Sequence, residues 1–349
     1  MMFFKKIGIF VATMILIQFP SPSIASEKLS PWIKCQLDSA IQECFVEYEQ
    51  DQIKIKPLTG GYNATSMLLE VADKRYVLRI TKESESPLRV NAELHATEYA
   101  AAMGIAPAIH WVGANGRVIV MDYIAGGTLS DKRSKKYEVL VDVAKTMRKV
   151  HTLPKNPYQA LSFEERMEKF YQDYSQIANN LSVFDPAIAI IREVAVMLQN
   201  LESPFCNTHG DLNPRNILDS SEKIYFIDWC EGMYTDPFHD LAYYSILMNY
   251  NTDEESLLLQ NYLERDPFPE EYVRYLIAKK MNFARLALGT QNIGNKLCSE
   301  NEAKNPSQQP LKEWLYYINS FANGNEVLSP SFFWEFARAA LKKADTIKI

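Results

Sequence analysis

Apolar and polar positions recur with two different periods along this chain, and the change of period divides it. From Asp51 to Ile124 the apolar runs are short. Ile53 and Ile55 alternate with charged residues up to Leu58, so both fall on one face. Met67–Val71 and Tyr76–Ile80 follow, joined by the turn-like Ala72-Asp73-Lys74. This predicts a three-strand meander whose first turn carries Thr59-Gly60-Gly61-Tyr62-Asn63. Residues 87–103, rich in Ala and Glu, predict a helix. Ile109–Gly113 and Val118–Ile124 predict a hairpin across Ala114-Asn115-Gly116, since Asn-Gly is a favoured tight turn. Helical periods dominate after Gly126-Gly127. They cover residues 136–151, 162–181 and 185–201, then 238–250, 253–264, 270–288, 311–322 and 330–343. Ser329 is placed to cap the last helix, with Pro330 at its first position. Residues 289–309, polar and rich in Asn, predict a loop. A further amphipathic helix, residues 32–48, precedes the first strand.

Composition and charge narrow the classes. A chain of 349 residues with 47% hydrophobic and 23% charged residues has ample material for a core. A net charge of −6 argues against nucleic acid as a partner. Lys5 and Lys6, the apolar residues 7–19 and Ser23-Ile24-Ala25 have the layout of a secretory signal over residues 1–25. Its apolar core spans about 20 Å at about 1.5 Å per residue, short of a hydrocarbon layer of about 30 Å. Export follows as an expectation, with the membrane met only through this segment. Cys35 and Cys44 sit in the first helix, about 13 Å apart and on opposite faces, too far for a disulfide.

The chemistry concentrates in Thr208-His209-Gly210-Asp211-Leu212-Asn213-Pro214-Arg215-Asn216 and in Ile224-Tyr225-Phe226-Ile227-Asp228-Trp229. An Asp, an Asn five residues later and an Asp closing a short apolar run are what phosphoryl transfer from Mg-ATP needs. The first Asp takes or orients the proton of the attacking hydroxyl, while the Asn and the second Asp hold Mg²⁺ against the phosphates. Asp211, Asn216 and Asp228 are the candidates.

The motif H-x-D-x-x-x-x-N, then I-D-[FW], then D-P-x-x-D-L-A resembles the aminoglycoside phosphotransferase and choline kinase superfamily. Here it reads His209 to Asn216, Ile227-Asp228-Trp229 and Asp236-Pro237-Phe238-His239-Asp240-Leu241-Ala242, within 34 residues. The resemblance implies an α+β, bilobal, protein-kinase-like fold. Residues 51–125 would form a small antiparallel sheet lobe with one helix, and residues 126–349 a larger, mainly helical lobe. It implies ATP and Mg²⁺ as cofactors and a small-molecule acceptor, most simply an amino alcohol such as choline or ethanolamine. An aminoglycoside or thiamine, a nucleotide-binding module without chemistry, and a divergent protein kinase are the alternatives. ATP use conflicts with export, so a cytoplasmic or membrane-anchored chain is the other reading.

The same resemblance assigns further roles. Gly60, Gly61 and Asn63 would border the phosphates. Arg79, in Tyr76-Val77-Leu78-Arg79-Ile80, would stand where protein kinases place a phosphate-binding Lys. Its helix partner is Glu93, with Glu98 the competitor about 140° around the helix. Met121, Asp122, Tyr123 and Ile124 would meet the adenine edge. His209 and Asp240 would support the catalytic loop. For the acceptor, an ammonium group calls for aromatic faces and carboxylates; Trp229, Glu231, Asp236 and Trp314 are the candidates.

Overall fold

The computed structural model describes residues 29–58, 64–132, 137–159, 163–175, 184–201, 204–220, 222–297, 310–323 and 329–349. The expected leader at residues 1–25 and the phosphate-loop candidates Gly60, Gly61 and Asn63 lie outside them.

Helix α1 (Pro31–Cys44) starts on Ser30, whose hydroxyl accepts from the Ile33 N–H, with Pro31 in the first turn. It ends four residues earlier than expected. Cys35 and Cys44 are both unpaired. The strands β1 (Ile53–Pro57), β2 (Ala64–Val71), β3 (Lys74–Thr81), β4 (Ile109–Gly113) and β5 (Val118–Asp122) form one antiparallel sheet in the order β1-β2-β3-β5-β4. Helix α2 (Pro87–Ala102) enters between β3 and β4.

The two-residue period of a strand decides what each face of β3 does. Leu78 and Ile80 are buried in a core with Leu37 and Ile41 of α1 and with Val118 and Val120 of β5. Arg79, between them, faces the other way, toward α2. On the edge strand β1, Ile53 is buried while Ile55, on the same face, is 41% exposed.

The chain then crosses into helices α3 (Leu129–Lys132), α4 (Tyr137–Val150), α5 (Phe163–Ser175) and α6 (Phe184–Asn200). Two short ribbons carry the central motif: β6 (Cys206–Thr208) pairs with β9 (Met233–Thr235), and β7 (Ile217–Asp219) with β8 (Ile224–Phe226). Helices α7 (Phe238–Met248), α8 (Thr252–Leu263), α9 (Pro269–Leu297), α10 (Trp314–Asn323) and α11 (Pro330–Thr346) complete the larger part. A small antiparallel sheet with α1 and α2, followed by a mainly helical region, is the architecture expected.

Helix α9 corrects one expectation. It runs on through residues 289–297, which were expected to be loop; residues 298–309 lie outside the described set. The polar residues there are inside the protein. Thr290 returns its hydroxyl to Leu286 O at 2.7 Å, and Asn295 accepts from Trp334 Nε1 at 2.8 Å. Gly294 lets the Trp334 ring of α11 approach closely, where any Cβ would collide with it. Thus α9 lies in one apolar core with α6, α7 and α11.

Candidate functional site

The loop from His209 to Asn216 is held by hydrogen bonds that leave little choice of shape. Asp240, fully buried near the start of α7, accepts from the His209 N–H at 2.7 Å and the Gly210 N–H at 2.9 Å. It also meets Nε2 of His151, the residue just after α4, at 3.2 Å. Burial works against its charge, but the surrounding histidines hold its carboxyl below the usual range. The His209 ring spans the loop. Its Nε2 lies 3.0 Å from Ile227 O, and its Nδ1 accepts from the Asp211 N–H at 3.3 Å, so Nε2 carries the proton. Burial lowers the His209 pKa, which keeps the ring neutral. Both side chains thus hydrogen-bond to the backbone of this loop.

Gly210 explains the middle of the His-Gly-Asp motif. Its φ is +78°, and any Cβ would collide with the Glu231 carbonyl oxygen. No larger side chain fits while the segment after Asp228 crosses this loop.

Asp211 is fully enclosed. Its Oδ2 accepts from Asn213 Nδ2 at 3.1 Å and from Asn216 Nδ2 at 3.0 Å. Its Oδ1 meets no hydrogen-bond donor among the described residues, and the Tyr243 hydroxyl interacts with the carboxylate. Burial pushes the carboxyl up to about 8, against the pull of the Arg285 guanidinium. Asn216 donates both to the carboxylate and to the backbone oxygen of Asp211, so its amide is fixed in one orientation. The Ile227 N–H donates to Asn216 O at 2.9 Å, which ties the loop to the strand end that carries Asp228.

Asp228 has left-handed backbone angles, φ 64° and ψ 71°, unusual for a residue other than Gly and a mark of functional strain. Its Oδ1 accepts from Arg79 Nη2 at 3.1 Å. Burial opposes ionisation, yet the Arg79 guanidinium holds the carboxyl below its ordinary range. Arg79 also binds Glu93 Oε1 through Nε at 2.9 Å and Nη2 at 2.6 Å. This decides between the two helix candidates, because Glu98 is exposed on the other side of α2. One guanidinium therefore links β3, α2 and the metal-ligand candidate.

The connection between the two parts follows β5. Met121 is buried. The Asp122 N–H bonds to Ala108 O at 2.9 Å, and its carboxylate meets His110 at 2.6 Å. The Tyr123 N–H bonds to Arg75 O, and Arg75 lies over its ring at 4.6 Å. Ile124 is the first of the four whose N–H no internal hydrogen bond takes among the described residues.

The four acceptor candidates are not presented to a ligand. Trp229 is 3% exposed; its Nε1 donates to Phe226 O at 3.2 Å, and its ring packs on His209 at 4.6 Å. Asp236 is fully buried between the Phe238 N–H and Arg274 Nε, each 2.8 Å away. Trp314 packs between Phe283 and Phe336 in the helical core. Glu231 is 3% exposed and already paired, with Arg89 of α2 and with Arg166 of α5 at 3.4 Å. Aromatic rings and carboxylates are drawn inward by the same burial and pairing that a cage would use, so sequence alone could not separate the two.

The residues missed are cations. Arg285 of α9 is 1% exposed, with Nη1 3.4 Å from His239 Nε2 and its guanidinium 4.7 Å from the centre of the Tyr243 ring. Burial and Arg285 together lower the His239 pKa to about 3, so that ring is neutral. The available signal was a lone Arg inside the apolar run Phe283-Ala284-Arg285-Leu286-Ala287-Leu288.

Comparison with known proteins agrees with this geometry. Residues 54–276, well over half the chain, match the phosphotransferase enzyme family. A LicA homologue of Mycoplasma capricolum is 24% identical over 128 residues, 36% of this chain. The chain spans 50% of the length of that relative. Among solved structures, a choline/ethanolamine kinase family protein from Mesorhizobium loti is similar with a TM-score of 0.60. It is 20% identical over 89% of this chain and 99% of that one. The choline kinase LicA of Streptococcus pneumoniae has a TM-score of 0.61 and 14% identity over the same shares. At such identities the likeness speaks for the fold. Other structures of this fold hold AMP or ADP.

Proposed function

The chain belongs to the phosphotransferase enzyme family, and from that premise we propose that it transfers the γ-phosphate of ATP to a hydroxyl group of a small molecule. One observation carries the reading: Asp211, Asn216 and Asp228 are cross-braced into one unit, with Asp211 Oδ1 left without a hydrogen bond. That oxygen is the one to accept or orient the acceptor hydroxyl's proton.

The residues present fit Mg²⁺. Asp228 offers a carboxylate and Asn216 an amide oxygen that accepts no hydrogen bond among the described residues. Hard oxygen donors, one or two from the protein and the rest from phosphates, are what this ion takes. Bound there, it would neutralise the phosphate charge. Arg79, kept protonated despite burial by Glu93 and Asp228, adds a fixed positive charge beside the same place. Asn213 and Asn216 keep the Asp211 carboxylate turned toward the cleft, and His209 and Asp240 keep the loop from relaxing.

For the acceptor, an amino alcohol such as choline or ethanolamine is the class favoured by the relatives' names. Aminoglycosides and thiamine complete the set to be tried. The test is transfer from Mg-ATP to this panel and to a generic protein, with Asp211→Ala as control. Transfer to a small alcohol, absent in the control, supports the proposal. Nucleotide binding without transfer to any acceptor would leave a binding module. Phosphorylation of protein alone would make the chain a protein kinase.

A further inference from the structure

Helix α9 carries a stripe of buried polar residues through otherwise apolar surroundings. Asn282, Arg285 and Asn292 are spaced three and seven residues apart, which puts them on one face. They are 0, 1 and 0% exposed, and that face meets α7. Asn282 Nδ2 donates to His239 O at 3.0 Å, while its Oδ1 accepts nothing. Arg285 Nε donates to nothing. No carboxylate oxygen lies within ion-pair distance of Arg285 among the described residues; its neighbours are a neutral imidazole and a ring face.

A guanidinium in this position is unusual. Buried charges are paired, because removing a cation from water without an anion is strongly unfavourable. The ring face of Tyr243 offsets only part of that. The Arg285 guanidinium favours the charged form of the Asp211 carboxyl, yet Asp211 must address the acceptor hydroxyl and so does not serve Arg285 as a fixed partner. Glu231 is occupied by Arg89 and Arg166. Among the described residues, Arg285 is thus a buried guanidinium with an unused Nε–H donor.

We propose that Arg285 binds an acidic group, carboxylate or phosphate, on the same small molecule whose hydroxyl is presented to Asp211. The acceptor is then a hydroxy acid, an amino alcohol that also bears an acid, or a phosphorylated alcohol, rather than choline itself. The inference rests on the phosphotransferase reading only for where the acceptor hydroxyl goes. Arg285 lies over the ring of Tyr243, 4.7 Å from its centre, and the Tyr243 hydroxyl interacts with the Asp211 carboxylate, so a single side chain separates the guanidinium from Asp211.

The experiment uses the full chain with Mg-ATP and three sets of acceptors: serine, homoserine and glycerate; glycerol 3-phosphate; choline and ethanolamine. Transfer and acceptor-induced shifts of the unfolding temperature are both measured. The expected result is that an acid-bearing probe binds and is phosphorylated. Arg285→Met then raises its KM about 10- to 100-fold, the loss of one charge-assisted pair, with the KM for ATP unchanged. Arg285→Lys restores part of the loss. Whether carboxylate or phosphate is taken is read from the first two sets. If choline or ethanolamine is the better acceptor, or Arg285→Met leaves every acceptor's KM in place, the inference is wrong and the phosphotransferase reading stands. If an acid-bearing probe binds through Arg285 without transfer, the anion site stands and the reaction does not. Should no acid-bearing probe bind or react with the wild-type chain, the inference fails, whether or not the variants fold.

Discussion

The two sides of the cleft handle buried charge in opposite ways. On the nucleotide side, Arg79 is shared by Glu93 and Asp228, every partner is within 3.1 Å, and the network closes on itself. On the acceptor side, Asp211 Oδ1 and Arg285 Nε are buried without partners. A closed network can be built in advance for a ligand that is always the same. Unfinished hydrogen bonding is a destabilised patch that only the right ligand completes. If the proposed function holds, the protein's rigidity is invested on the nucleotide side and its selectivity on the acceptor side.

The largest effect that would break this contrast is on turnover. Asp211→Ala should lower it by at least the 10²- to 10⁴-fold typical of a lost general base, with nucleotide affinity near that of the wild type. Asp228→Ala should weaken Mg-dependent nucleotide binding as well. Equal turnover in both variants and the wild type would end the catalytic assignment. Next come changes to stability, read by chemical denaturation. Glu93→Ala leaves the buried Arg79 guanidinium with Asp228 alone and should cost about 3 kcal/mol, the low end of what breaking a buried pair costs. Glu98→Ala, on the exposed face, should stay within about 0.5 kcal/mol. Similar losses at both would contradict the pairing. Gly210→Ala adds a Cβ to a left-handed residue with a carbonyl already in the way. It should destabilise the chain by about 1–3 kcal/mol and depress turnover further by displacing Asp211.

The pH dependence of stability sharpens the contrast most. Without metal, Asp211 is raised to about 8 and Asp228 is lowered. The sign for Asp211 is that stability is fully present below the unfolded value near 4 and is lost as pH climbs toward 8. For Asp228 the stability is present above the unfolded value and is lost only as pH falls below it. Denaturation midpoints in EDTA should therefore fall between pH 5 and pH 8 through Asp211. Asp211→Asn should flatten that slope; an unchanged slope would assign it to other groups.

What the sequence showed follows the same division. The clustering of Asp211, Asn216 and Asp228 was legible because the proposed chemistry fixes identity and spacing: an Asp and an Asn five apart on one loop, and an Asp at a strand end. Arg79 and Glu93 were legible because a strand's two-residue period and a helix's 3.6-residue period put them face to face. The acceptor side was not. Trp229, Glu231 and Asp236 are near the site in sequence, but burial and pairing with Arg89, Arg166 and Arg274 turn them to other uses. Arg285 comes from a helix more than fifty residues later, and only tertiary packing brings it to Asp211. Residues 289–297 misled for a related reason: Thr290, Gln291 and Asn292 are buried, which composition reads as exposure.

The Arg89–Glu231 pair has a mechanical consequence. Arg89 lies in α2 and Glu231 in the segment just after Asp228, and the backbone of that segment rests on Gly210. Any swing of the sheet half away from the helical half must drag this carboxylate with it or leave it stranded indoors. The two halves are therefore latched near the catalytic loop. Arg79, bonded to both Glu93 and Asp228, ties the same two halves a second time, so parting them there would break two buried ion pairs at once.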